Sequence, residues 1–127
     1  MKILVIEDQP LEMKLAVHVL IAAGHEVEQA DDAERALTNL RNDVPDVILL
    51  DLSLPGMDGL ALARQVKSDP ALRDVTIVAV TSYPEQFSHE DARAAGCAAY
   101  LSKPLSTRTL PKFLTDVVEN NEGQATR

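Results

Sequence analysis

Short aliphatic runs alternate with longer stretches of helical period along the whole chain. The runs are KILVIE at 2–7, EVEQ at 26–29, DVILL at 46–50, TIVAVT at 76–81 and AYLS at 99–102. Between them, apolar residues recur at helical spacing over 10–23, 32–41, 59–68, 87–95 and 106–119. The punctuation agrees with this division. Gly24 and Gly96 stand where C-terminal caps are expected, Asp58 precedes the third helix, and Ser106 precedes the last. Beyond Glu119 the sequence NNEGQATR carries no apolar periodicity. The pattern therefore predicts a folded unit over residues 1–119 and a disordered tail over 120–127.

Strands alternating with helices indicate an α/β fold, a parallel sheet with helices on both faces. Unbroken apolar runs place the first, third and fourth strands at the centre, and the polar EVEQ belongs at an edge. These positions predict the flavodoxin-like doubly wound (βα)5 arrangement, a five-stranded parallel sheet of order 2-1-3-4-5. A length of 127 residues suits one such domain. Aromatic residues make up only 3 %, so the core must be built from Leu, Val, Ile and Ala. The net charge of -8, unrelieved by any basic cluster, disfavours nucleic acid and anionic membranes as partners. No segment approaches the ~20 apolar residues of a membrane helix, and the apolar run near the N-terminus is too short for a signal peptide. The lone Cys97 allows no internal disulfide and reads as a small buried thiol. A cytoplasmic location is expected.

The winding also tells where chemistry belongs, because sites in open parallel sheets lie outside the carboxyl ends of the strands, where strand order reverses. Glu7 and Asp8 leave the first strand there, Asp51 the third, Thr81 the fourth and Lys103 the fifth. Three carboxylates gathered without a cation would repel one another. Oxygen donors without His or Cys suit a hard ion, Mg²⁺ first, with Mn²⁺ as an alternative. A carboxylate in this setting can attack a phosphoryl group to form an acyl phosphate. Asp51 is the candidate nucleophile, Lys103 the cation for one phosphoryl oxygen and Thr81 the hydroxyl for another. Each also has a plainer reading: Glu7-Asp8 as a loop before a helix, Asp51 as a turn residue, Thr81 as a strand former, Lys103 as a snorkelling lysine. Asp31-Asp32 has the same look at an edge strand and reads as a helix start. Pro104 after Lys103 admits a cis bond that would aim the lysine at the site. Pro55-Gly56 suits a tight turn after the nucleophile.

IED at 6–8, LLDLSLPGMDG at 49–59, VTS at 80–82 and AYLSKP at 99–104 resemble the receiver domain of two-component response regulators, over roughly residues 2–119. The resemblance implies that Asp51 accepts a phosphoryl group from a phosphohistidine on a histidine kinase or histidine phosphotransferase. It implies that Asp8 binds Mg²⁺ directly, that Glu7 helps through water, and that Asp51 and the Ser53 backbone carbonyl complete the protein ligands. Tyr100 would be the aromatic whose rotation, coupled to Thr81, reports phosphorylation over a surface of about residues 85–118. Glu7 stands where aspartate is commoner in such domains. Expected partners are the phosphodonor and a downstream protein, with the chain a monomer or a weak phosphorylation-linked homodimer.

Two further readings concern role. With no output domain after the last helix, the pattern fits a single-domain switch; a relay intermediate or an excised receiver of a larger regulator or hybrid kinase shares the same sequence features. An aspartyl-nucleophile phosphohydrolase would share Asp51, Mg²⁺ and Lys103, but usually has a second acid two positions on, where Ser53 stands. A flavin carrier shares the winding, but its phosphate loop cannot be the acidic EDQP. On the first helix, Leu11, Leu15, Val19 and Ala22 form one apolar stripe and Met13, Val17 and Leu20 another. One stripe suffices to cover a sheet, so the other is either core on a wide face or a docking surface for the phosphodonor's helix. His18, His25 and His89 show no ligand spacing and read as surface or boundary residues.

Overall fold

Five strands pair in parallel in the order β2-β1-β3-β4-β5: β1 (Lys2–Ile6), β2 (Glu26–Ala30), β3 (Val47–Asp51), β4 (Thr76–Thr81) and β5 (Ala99–Ser102). The five helices are α1 (Pro10–Ala22), α2 (Ala33–Asn42), α3 (Gly59–Ser68), α4 (His89–Ala94) and α5 (Leu110–Ala125). This computed structural model describes residues 1–54, 56 and 58–125; Pro55 of the expected Pro55-Gly56 turn lies outside the described residues. The winding is the flavodoxin-like one, and β3 and β4 are buried along their whole length, as continuous apolar strands must be.

Successive side chains of a strand point to opposite faces, and here both faces are covered. Ile3, Val5, Leu49 and Val80 pack beneath α1 and α5, where Leu20 and Leu114 are fully buried. Leu4, Ile6, Leu50 and Ile77 face the other way, beneath Leu40 of α2, Leu62 and Val66 of α3 and Ala92 of α4. The largest fully buried side chains among the described residues are all Leu, Ile and Val.

Local chemistry sets the helix ends. Asp32 caps α2 by accepting the Arg35 N–H at 2.8 Å, and Asp58 caps α3 by accepting the Leu60 N–H at 2.8 Å. Gly24 and Gly96 follow α1 and α4 with φ of 93° and 100°, a conformation that glycine adopts without a side-chain clash. Two helix starts differ from the sequence expectation by more than one residue. α4 begins at His89 rather than residue 87, because the Ser88 hydroxyl accepts the Asp91 N–H at 3.0 Å and makes Ser88 the cap. α5 begins at Leu110 rather than 106. The Ser106 carbonyl, not its hydroxyl, closes the preceding turn by accepting the Leu110 N–H at 3.0 Å. Pro111 then falls in the first turn, where its missing N–H costs nothing. At its far end α5 continues past Glu119 to Ala125, with Val118 its last core residue among the described side chains.

Gly59 fixes the approach of α3 to the end of β3. A Cβ there would lie 2.6 Å from the Leu52 Cα and 3.0 Å from the Asp51 carbonyl oxygen, both backbone atoms that cannot swing aside. The Gly59 N–H donates to the Leu52 carbonyl at 3.2 Å. The helix is thereby pinned to the chain immediately after Asp51.

Candidate functional site

Backbone pairing carries each candidate side chain to one end of the sheet. Asp51 and Thr81 are the last residues of β3 and β4, and both are buried. The Glu7 N–H extends the ladder one residue past β1 by donating to the Ala30 carbonyl at 3.0 Å. The Lys103 N–H does the same past β5, donating to the Thr81 carbonyl at 2.8 Å. The Lys103-Pro104 peptide is cis.

The side chains converge. Glu7, Asp8 and Asp51 each place a carboxylate oxygen within 4.8 Å of the others. The Lys103 ammonium reaches into the same cluster, 2.6 Å from Glu7 Oε1 and 3.1 Å from Asp51 Oδ2, and it also contacts Glu12 Oε2. Backbone donors hold the other carboxylate oxygens: the Gln9 N–H donates to Glu7 Oε2 at 3.1 Å and the Ser53 N–H to Asp51 Oδ1 at 2.9 Å. Beneath the lysine lies a cavity of about 110 Å³ with an apolar floor that includes Val5, Leu49 and Val80.

Charge and burial act together here. Burial first, with neighbouring Asp51 adding to it, outweighs the Lys103 and Gln9 hydrogen bonds and raises the Glu7 carboxyl to about 7. Burial would lower the Lys103 ammonium, but its hydrogen bonds to Glu12, Glu7 and Asp51 hold it above the ordinary lysine value. Among the described residues, Lys103 is the cation that pairs with these acids. The donor set is all oxygen, strongly anionic and tightly spaced, which fits a hard divalent ion such as Mg²⁺. Ser53 adds a buried hydroxyl that has no partner among the described residues.

Thr81 Oγ1 accepts the Tyr83 N–H at 2.9 Å, leaving its own proton to donate. Tyr100 stands apart from the acids on β5; its hydroxyl donates to the Phe87 carbonyl and its ring lies 4.0 Å from that of His89. The structure thus brings Glu7, Asp8, Asp51 and Lys103 together at the sheet end where Thr81 also emerges, with Tyr100 outside the cluster. Asp31 and Asp32 lie on the α2 side of the fold; Asp32 caps that helix and Asp31 pairs with Arg35 at 3.3 Å. Cys97 is buried, which pushes its thiol up to about 11. Glu12 was not singled out in the sequence, since an acid in a first helical turn ordinarily reads as a partner of the helix dipole.

The profile of the response regulator receiver domain matches residues 3–115. The chain belongs to the response regulator receiver domain family. It is 35 % identical over 115 residues to the polar-differentiation response regulator DivK of Brucella anthropi, covering 91 % of each chain. Its fold matches that of the chemotaxis response regulator CheY4 of Vibrio cholerae with a TM-score of 0.84 at 30 % identity, over 91 % of this chain and 97 % of that one. A CheY-like receiver domain protein from Methanospirillum hungatei superposes with a TM-score of 0.86 at 26 % identity, over 97 % of each chain. Receiver domains serve signalling, and among the described residues no helix is long and apolar enough to cross a membrane. In this receiver Met13, Val17 and Leu20 of α1 are buried; of the other stripe, Val19 packs half-buried against the core, whereas Ala22 is exposed and Leu11 and Leu15 are 70 % and 49 % exposed.

Proposed function

We propose that Asp51 accepts a phosphoryl group from a phosphohistidine on a histidine kinase or histidine phosphotransferase, in a receiver unit spanning residues 1–119. The observation that carries this reading is the buried Asp51 carboxylate lying 3.1 Å from the Lys103 ammonium and within 4.8 Å of two further acids. One Asp51 oxygen attacks phosphorus. The P–O bond forms as the P–N bond breaks, and the electron pair leaves on the imidazole nitrogen, which takes a proton from solvent. Asp51 Oδ1 is held by the Ser53 N–H, so Oδ2, on the lysine side, is the attacking oxygen. Lys103 neutralises one phosphoryl oxygen, and the Thr81 hydroxyl donates to another. Glu7, Asp8, Asp51 and the Ser53 carbonyl would hold Mg²⁺, which supplies charge neutralisation between nucleophile and phosphoryl oxygens when bound.

The reaction is tested by intact-mass analysis after incubation with acetyl phosphate and Mg²⁺. The expected result is a single phosphoryl adduct, absent with chelator and absent in Asp51→Asn. An adduct that survives the substitution counts against the reading.

Phosphorylation would become a signal through packing. Drawing Thr81 toward the new oxygens changes the space behind β4, and Tyr100, half-buried against the core with its hydroxyl on the Phe87 carbonyl and its ring on His89, would follow. The responsive surface is then about residues 85–118, which would meet the downstream partner. The exposed Leu11-Leu15 stripe of α1 would receive the phosphodonor's helix. A Leu15→Lys substitution should slow transfer from a phosphohistidine protein at least tenfold, as expected when an apolar contact near an interface centre is replaced by charge. Labelling by acetyl phosphate, which needs no docking surface, should change less than twofold. Comparing the two rates checks it.

A further inference from the structure

We infer that Glu12 is a positioning residue: its carboxylate holds, on the Lys103 ammonium, the seat that a phosphoryl oxygen must take, and it is displaced when Asp51 is phosphorylated. This inference rests on the phosphoacceptor reading above. An ammonium has three N–H donors. In this structure Lys103 faces Glu7, Asp51 and Glu12, so every donor has a carboxylate opposite it. A phosphoryl oxygen can reach the lysine only if one of the three withdraws.

The three acids are not held equally. Glu7 and Asp51 each have a second partner in a backbone N–H, and their side chains are 8 % and 5 % exposed. Glu12 is 45 % exposed, and Lys103 is its only hydrogen-bond partner among the described residues. Asp51 Oδ2 gives up its place only once it bonds to phosphorus, so withdrawal ahead of the incoming phosphoryl group falls to Glu12. Its position explains both the contact and its looseness. With Gln9 as N-cap and Pro10 first, Glu12 is the third residue of α1, where a glutamate commonly turns back to the N-cap N–H. Here that N–H is already taken by Glu7 Oε2, so the Glu12 side chain turns toward the lysine instead. Once displaced it remains beside the positive end of the helix dipole, in water, so its release costs little.

An exposed ion pair of this kind is weak, and the incoming phosphoryl group meets like charge as well. Glu12 should therefore lower affinity for a phosphoryl group modestly. The test is titration with beryllofluoride, a phosphoryl mimic, in the presence of Mg²⁺, followed by amide chemical shifts. Glu12→Gln and Glu12→Ala should each bind the mimic about two- to fivefold more tightly than the unsubstituted protein. The gain should shrink at high ionic strength, because the competition is electrostatic. Glu119→Gln, which removes the same charge from the exposed far end of α5, should bind like the unsubstituted protein. In addition, without metal or mimic, the Lys103 ammonium resonance should move in Glu12→Gln. Unchanged or weaker mimic binding, or an unmoved lysine resonance, would overturn the inference while leaving the phosphoacceptor reading intact. No mimic binding by any form of the protein would instead overturn that reading, and this inference with it.

Discussion

Replacing Lys103 with alanine should slow phosphorylation of Asp51 by acetyl phosphate about 10²–10³-fold, the usual loss when one preorganised group facing developing negative charge is removed. The same substitution should destabilise the metal-free protein by about 3 kcal/mol, since it leaves buried carboxylates without their counter-charge. The lysine side chain is 10 % exposed and the two deepest acids it faces are less exposed still, so water cannot substitute fully. The two effects should part on addition of Mg²⁺. A divalent ion among Glu7, Asp8 and Asp51 restores the missing positive charge and hence most of the stability. It does not restore the ammonium on the far side of the phosphoryl group, so the rate stays low. Denaturation midpoints with and without Mg²⁺, set beside mass-detected labelling rates, measure both. Lys103→Arg should fall between, because a planar guanidinium keeps the charge but cannot direct three donors from one atom.

Stability of the metal-free protein should fall as pH rises, an inversion of ordinary acid denaturation that traces to Glu7. Burial, with Asp51 beside it, raises this carboxyl from 4.5 to about 7. Between those values the folded protein keeps the proton while the unfolded chain has released it. Stability therefore declines with pH across that window and levels off above it. A rise of this size corresponds to roughly 3 to 3.5 kcal/mol. Urea midpoints at pH 5 and pH 8 in chelator should show the decline in the unsubstituted protein and not in Glu7→Gln, and the difference between the two isolates this one group. With Mg²⁺ present the trend should reverse, because the ion binds the ionised carboxylate and competes with the proton. A pH response shared equally by Glu7→Gln would assign the effect elsewhere.

The fold was legible wherever one physical signal dominated. Continuous apolar runs this short and rich in β-branched residues suit strands buried on both faces, and β1, β3 and β4 lie where those runs place them. Asp58, Gly24 and Gly96 mark helix ends by requirements of backbone geometry that leave few alternatives. The misplaced helix starts came from apolar period overriding punctuation. Pro111 belongs in a first turn and Ser88 is a strong cap, and either signal taken alone gives the observed start of α5 or α4. At the site, the convergence of Glu7, Asp8, Asp51 and Lys103 followed from topology, because the ends of neighbouring parallel strands must meet. What topology could not show was the direction of a side chain on a neighbouring helix. The Gln9 N–H is given to Glu7 and Glu12 reaches the lysine instead, a competition that spacing does not encode. For α1 the sequence left two stripes equivalent; the sheet and α5 cover one and leave Leu11 and Leu15 to solvent.

The central claim is that one aspartyl oxygen, at position 51, carries the phosphoryl group. Borohydride reduction of the phosphorylated protein converts an acyl phosphate to an alcohol at the residue that bore it, and peptide mass mapping then locates that residue. The account predicts homoserine at position 51 alone, and none when Mg²⁺ is withheld during labelling. Reduction product at Glu7, Asp8 or Glu12, or a labelled protein that yields no reduction product at all, would contradict it.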